Sequence, residues 1–142
     1  MNRVQQILSR KGANAVSVTP DTTVYDALKV MADKNIGSVI VMDDDTYLGI
    51  VTERDYSRKV ILQEKHSNTT LVSEIMSSDL PHVSPEDNID HCMELMTKNN
   101  IRYLPVFNND RLAGIISMSD VVKDTILSQQ QTINHLNEYL YS

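Results

Sequence analysis

Cysteine occurs once in the 142 residues, at Cys92, which excludes an internal disulfide and a multi-cysteine zinc site and suits a reducing compartment. Long apolar runs are missing as well. The longest, such as VIVM at Val39 to Met42, suit a buried strand and fall far short of the roughly 20 residues a helix needs to cross a bilayer. The opening MNRVQQILSR has no apolar stretch of signal-peptide length, so a cytoplasmic protein with no membrane partner is expected. Basic residues are outnumbered, 13 against 19 acidic, for a formal charge of −6. A general nucleic-acid binder would carry a basic surface, so any bound anion here must be held by a local cluster.

Signs of catalysis are equally sparse. His66, His82, His91 and His135 show no spacing that sets two on one helical face, which argues against a metal site. No Ser-His-Asp or Cys-His order stands out, and no carboxylate pair is placed by sequence in an enclosed pocket. Cys92 and the methionines Met31, Met93 and Met96 read as core filling. The chain is therefore expected to be no enzyme and to require no cofactor.

What the sequence does have is an internal repeat. Sliding the chain by 65 residues superposes Val16–Ile61 on Pro81–Ile126 without a gap, with 11 identities in 46 pairs. Unrelated sequences would give about three. Val18 meets Val83, Pro20 meets Pro85, Met31 meets Met96, Gly49 meets Gly114 and Asp55 meets Asp120. The ending GIVTERD at Gly49 to Asp55 returns as GIISMSD at Gly114 to Asp120.

Each copy reads as β-α-β-β-α, an α+β architecture. A short strand (AVSVT, PHVS) ends at a Pro turn, and Asp21 to Thr23 or Glu86 to Asn88 supply helix-starting polar groups. Val24, Ala27, Leu28 and Met31 share a helical face, as do Ile89, Cys92, Met93 and Met96. Two apolar runs flanking a polar turn then predict a hairpin, and a second helix starts at Glu53 and at Met118. Pro105 within RYLPVF demands an edge position, or one where its missing N–H leaves no ladder bond unmade.

Thr52 and Ser117 stand where a strand gives way to a helix, whose first N–H groups lack intrahelical partners. Such an end attracts a phosphate, which those amides and the hydroxyl can share. Asp55 and Asp120, three residues on, offer acceptor-only carboxylates suited to both hydroxyls of a ribose. Gly49 and Gly114 allow close backbone approach. The same spacing also forms a capping box, in which hydroxyl and acid merely satisfy each other's backbone donors, and Asp55 can pair with Lys59 one turn along.

The element order, the Gly-apolar-apolar-Thr/Ser-x-x-Asp ending and the RYLPV strand resemble a cystathionine β-synthase (CBS) domain pair, or Bateman module. The ERDYSRK stretch and the amphipathic INHLNEYL tail are similar to those of small stand-alone members. The resemblance implies two repeats packed with pseudo-twofold symmetry and clefts that bind adenosyl ligands. AMP comes first, with NAD, ATP and S-adenosylmethionine as the other candidates. It favours ligand binding over bare capping. It implies one cleft formed by Thr52, Arg54 and Asp55 with Ile101, Arg102 and Tyr103, and another formed by Ser117 and Asp120 with Val16, Ile36, Gly37 and Ser38, with Lys11 nearby. Arg102 can fork onto a phosphate where Gly37 cannot, so the Asp55 cleft is expected to take the more highly charged ligand.

The domains expected are residues 1–66, a first repeat with an N-terminal helix; 67–126, the second repeat; and 127–142, an amphipathic helical tail. Val4, Ile7 and Leu8 make a stripe near the start, while Ile126, Ile133, Leu136 and Leu140 make another along the tail. Both suggest partner surfaces, and the resemblance implies a homodimer that signals to a client protein. Two other functions compete: an adaptor with vestigial clefts acting through its tail, and a hydrolase or transferase acting on the same nucleotide.

Overall fold

A computed structural model of the chain describes residues 2–12 and 15–141. The elements run α1 (Val4–Lys11), β1 (Ser17–Val18), α2 (Val24–Lys34), β2 (Ser38–Asp43), β3 (Thr46–Thr52), α3 (Glu53–Lys59), a 3-10 turn (Ile61–Gln63), α4 (Val72–Ile75), α5 (Ile89–Asn99), β4 (Tyr103–Asn108), β5 (Arg111–Ser117) and α6 (Met118–Tyr141). They form two compact units. One comprises Asn14–Leu80; the other joins Met1–Ala13 to Pro81–Ser142. The boundary drawn at 66/67 from sequence therefore differs from the structural division, and the N-terminal helix packs with the second repeat instead of the first.

The two units are built alike because like residues sit at like places. Thr23 and Asn88 cap α2 and α5 by accepting from the N–H groups of Asp26 and His91. Asn35 and Asn100 close the same helices in the left-handed conformation that asparagine tolerates. Val24, Ala27 and Met31 of α2 are buried against β2 and β3, and Ile89, Cys92 and Met96 of α5 against β4 and β5. The hairpins turn at Asp44 and Asn109, both at positive φ, and carry a bulge at Val41/Met42 and at Val106/Phe107.

One strand differs between the copies, and Pro105 explains it. In the first unit β1 pairs in parallel with β2, and the Ile40 N–H donates to the Val16 carbonyl at 3.0 Å. Pro105 occupies the matching place in β4 and has no N–H to give. The strand expected around PHVS is reduced to a single bridge, Val83 to Val106, held by Val83 N–H to the Pro105 carbonyl and Phe107 N–H to the Val83 carbonyl.

α1 and α4 are a further repeated pair. Val4 N–H donates to the Asp87 carbonyl and Gln5 N–H to Pro85; Val72 N–H donates to Thr22 and Ser73 N–H to Pro20. Gln6 reaches back to the Arg3 N–H, and Glu74 to the Leu71 N–H, both at 2.7 Å. Val4 and Ile7 are buried in the second repeat's core as Val72 and Ile75 are in the first's. The N-terminal stripe thus packs on its own unit's core, worth about 1.5–3 kcal/mol per fully buried side chain.

The strand glycines serve the same two helices. A Cβ on Gly49 would lie 2.7 Å from the Ser77 carbonyl oxygen and 3.2 Å from the Met76 side chain, just beyond α4. One on Gly114 would lie 2.9 Å from a methyl of Leu8 in α1. Close approach is required, and it is the chain itself that approaches. At the other end α6 runs unbroken for 24 residues, so the second repeat's exit helix and the tail are one element.

Candidate functional site

The chemistry predicted at the helix mouths starts from a backbone fact: β3 and β5 end in residues whose extended φ/ψ turns directly into a helix. Thr52, at φ −121° and ψ 164°, is the N-cap of α3. Its N–H donates to Asp55 Oδ2 at 2.9 Å, and the Asp55 N–H returns to Thr52 Oγ1 at 3.1 Å. The second unit repeats this: Ser117 N–H to Asp120 Oδ2 at 2.8 Å, and Asp120 N–H to Ser117 Oγ at 3.1 Å. The capping-box reading of these residues is therefore correct as a description of the resting geometry.

The expectation that the first helical amides stand open needs correction. Glu53 N–H donates to the Gly37 carbonyl at 3.2 Å, and Met118 N–H to the Arg102 carbonyl at 2.8 Å. The strands leading into each hairpin bring a carbonyl to the helix start, so these donors, with those of Asp55 and Asp120, are already satisfied. An anion here gets no help from those four amides.

The same contacts fix where the other named residues stand. Ser38 is the register partner of Thr52, and Ile36, Gly37 and Ser38 therefore lie beside the Thr52–Asp55 cap in their own unit. Val16 O is bonded to Ile40 N–H further along β2. Tyr103 is the register partner of Ser117, which sets Ile101, Arg102 and Tyr103 beside the Ser117–Asp120 cap in the other unit. Arg102 is exposed, Tyr103 and Ile101 are half-buried, Arg54 is half-buried, and Ser38 is buried. Each unit thus carries one cap and one strand start, all on adjoining residues.

Electrostatics distinguish the two acids. Asp55 is 9% exposed and receives Lys59 Nζ at Oδ1, 3.0 Å away. The same ammonium donates to the carbonyl of Ile75, the last residue of α4, at 2.8 Å. Asp120 receives the ammonium of Lys11, from α1, at 2.8 Å. Burial alone would push the Asp120 carboxyl up, but the Lys11 ammonium and the Ser117 N–H outweigh it and hold the group below the usual carboxylate range. Asp124, one turn on, is 3% exposed and binds Arg10 at 3.1 Å and the Asn2 amide at 2.8 Å. Sequence reasoning missed Asp124 and Arg10. The signal that could have found them is a charge reversal, since Asp124 stands where the first repeat has Lys59.

Cys92, fully buried in α5, is pushed up to about 11 by desolvation and by the nearby Asp87 charge, so it is an inert core thiol. No helix among the described residues is long and apolar enough to cross a membrane.

Comparison with known proteins agrees with this geometry. The family model for the CBS domain matches residues 4–61 and 72–125. The mitochondrial CBS domain-containing protein CBSX3 of Arabidopsis thaliana is 36% identical over 146 residues, covering 96% of this chain and 71% of that protein. A solved CBS-domain protein from Burkholderia ambifaria MC40-6 is 46% identical with a TM-score of 0.86, covering 90% of this chain and 96% of that one. The hexameric CBS-CP12 protein from bloom-forming cyanobacteria is 34% identical with a TM-score of 0.74, covering 86% of this chain and 70% of that one. The two matched segments cover most of the chain, each taking in one repeat and the short helix that precedes it in sequence, and on these grounds the chain belongs to the CBS-domain family as a tandem pair.

Proposed function

We propose that this chain is a regulatory module that binds an adenine nucleotide, AMP in preference to NAD, ATP or S-adenosylmethionine, and does not turn it over. The observation that carries the reading is the duplicated cap: a hydroxyl and an acid, both on the last strand residue and first helical turn, repeated with matching distances in the two units. A carboxylate oxygen accepts more than one hydrogen bond, so ribose hydroxyls can join the backbone donor already there. The Thr52 hydroxyl, whose proton rests on Asp55 Oδ2 at 3.1 Å, can turn it to a phosphate oxygen instead. Arg54 supplies positive charge for a phosphate at Thr52, and Arg102 for one at Ser117. Val16, Ile36, Gly37 and Ser38 in the unit of Thr52 and Asp55, and Ile101, Arg102 and Tyr103 in the unit of Ser117 and Asp120, complete the proposed set of ligand-binding residues. Bound ligand then favours whichever arrangement of the module it contacts best, to the extent of its differential affinity.

Thermal-shift titration of the purified chain with AMP, ADP, ATP, NAD and S-adenosylmethionine tests the reading. Ligand at about 100 times its Kd stabilises by roughly 2.7 kcal/mol, a clear rise in Tm. Arg102→Ala should weaken AMP far more than adenosine. A flat response to every ligand defeats the proposal, and recovery of chemically altered nucleotide would make the chain an enzyme.

A second reading is supported by the tail. Ile126, Ile133, Leu136 and Leu140 are 51–69% exposed. Between Thr125 and Tyr141 the only ionised side chain is Glu138, so little charge opposes self-pairing in a chain of net charge −6. We infer that this stripe pairs with a second copy of the chain. If the ligand titrations are flat, an adaptor working through α6 is the function that remains.

A further inference from the structure

The two acids differ in what holds them, and the difference follows from one reversed charge. Lys59 and Asp124 occupy equivalent positions, 65 residues apart, each one turn beyond its unit's acid. In the first repeat Lys59 neutralises Asp55 from within α3 itself. In the second, Asp120 and Asp124 sit four residues apart on α6, where like charges repel. The missing cations come from α1. Lys11 Nζ donates to Asp120 Oδ2 at 2.8 Å and to the Ile115 carbonyl at 2.9 Å. Arg10 pairs with Asp124 Oδ1 at 3.1 Å, and Asn2 donates to Asp124 Oδ2 and to the Ser128 hydroxyl.

These contacts are not equally strong. Asp124 is 3% exposed, so removing its partners strands a buried charge. Val4 and Ile7 anchor the first turns of α1 in the core, at 0% and 1% exposure. Lys11 is the last residue of α1 and its side chain is 35% exposed. Gly12 follows at φ 89°, a conformation that ends the helix, and its N–H donates to the Leu8 carbonyl at 2.9 Å. Arg10 stays on the buried Asp124 and Leu8 stays packed at Gly114, so the end of α1 beyond them, Lys11 and Gly12, is the part that a competitor at Asp120 can free.

Building on the ligand site read above, we propose that the end of α1, Lys11 and Gly12, is a ligand-releasable latch: sugar hydroxyls taking both oxygens of Asp120 displace Lys11 and loosen that end. At Asp55 the displaced lysine belongs to the same helix, and its bond to the Ile75 carbonyl of α4, at 2.8 Å, does not pass through the acid, so occupancy there need not release α4. By linkage, whatever the ligand gains by displacing Lys11 is returned when Lys11 is removed. The latch makes the second repeat the one whose occupancy is reported to the N-terminal segment.

Hydrogen exchange on the full chain, with and without saturating AMP, tests this alongside calorimetry on the same samples. AMP should raise exchange at Lys11 and Gly12 by about threefold or more and leave Val72–Ile75 unchanged. Lys11→Met should raise the same exchange without ligand and abolish the further rise with AMP, while Lys11→Arg restores both. Lys11→Met should also tighten adenosine by about two- to fivefold, the worth of a half-exposed ion pair. Calorimetric binding with unchanged exchange at Lys11 and Gly12 overturns the latch and leaves the ligand site standing. So does Lys11→Met with wild-type exchange in the absence of ligand. No calorimetric binding defeats the ligand site, and ligand release falls with it.

Discussion

Gly49→Ala isolates how α4 is held to the first repeat. The added methyl carbon would sit 2.7 Å from the Ser77 carbonyl oxygen and 3.2 Å from Met76 Cγ and Sδ. The Met76 chain can swing aside, but the Ser77 oxygen is backbone and is fixed by two hydrogen bonds, Ile50 N–H to Ser77 O at 3.0 Å and Ser77 N–H to Ile50 O at 2.9 Å. Relief to an ordinary contact requires the Met76–Ser77 segment to retreat by several tenths of an ångström, which stretches both bonds. Each is worth about 0.5–1.5 kcal/mol net. Overpacking against buried β3 costs about 1–3 kcal/mol more. The two effects overlap, so a loss of about 2–4 kcal/mol is expected. At roughly 3–5 °C per kcal/mol for a chain of this size, the Tm should fall by about 6–20 °C. Urea denaturation gives the free energy, and hydrogen exchange at Ile50 and Ser77 localises it. A variant that melts with wild type and protects both amides equally would show that the segment packs without the close approach described.

Three further outcomes follow from other parts of the structure. The Asp120 carboxyl titrates lower folded than unfolded, so its contribution is complete above the unfolded value of about 4 and is lost as the pH falls through the lower folded value; urea midpoints between pH 6 and 3 should fall less steeply in Lys11→Met, and parallel curves would contradict the pairing. Cys92, raised from about 9 to about 11, holds roughly 100-fold less thiolate near neutral pH than an unburied thiol; native alkylation by iodoacetamide should be slow until denaturant is added, and rapid native labelling would contradict its burial. Leu136→Glu should shift the chain toward monomer in sedimentation velocity without lowering its Tm, since Leu136 is 54% exposed; a wild type that sediments as a monomer at all concentrations would refute the self-pairing of α6.

The repeat was legible because its hairpins and helix faces impose constraints at a constant offset. Val41, Gly49, Ile50 and Asp55 each recur 65 residues on, and the structure puts the bulge, the chain crossing and the cap at those places. The α1/α4 pair was hidden because its offset is 68, and a helix of one or two turns offers few positions to match. Val4 with Val72 and Ile7 with Ile75 are all that its buried face requires. Pro105 was read correctly as a missing donor, but which partner went without depended on the register. The hydroxyl and acid were found by spacing, whereas the carbonyls of Gly37 and Arg102 that satisfy the helix-start amides come from backbone direction and leave no side-chain signature. Lys11 and Asp120 lie 109 residues apart, so no local pattern joins them.

In the proposed function Asp55 and Asp120 are ligand acids as well as caps. Isothermal titration of AMP into wild type, Asp55→Asn, Asp120→Asn and the double variant measures this, with circular dichroism confirming that each variant folds. Saturable heat in wild type, reduced stoichiometry or affinity in each single variant, and no heat in a folded double variant are predicted. Undiminished AMP binding by the folded double variant would contradict it.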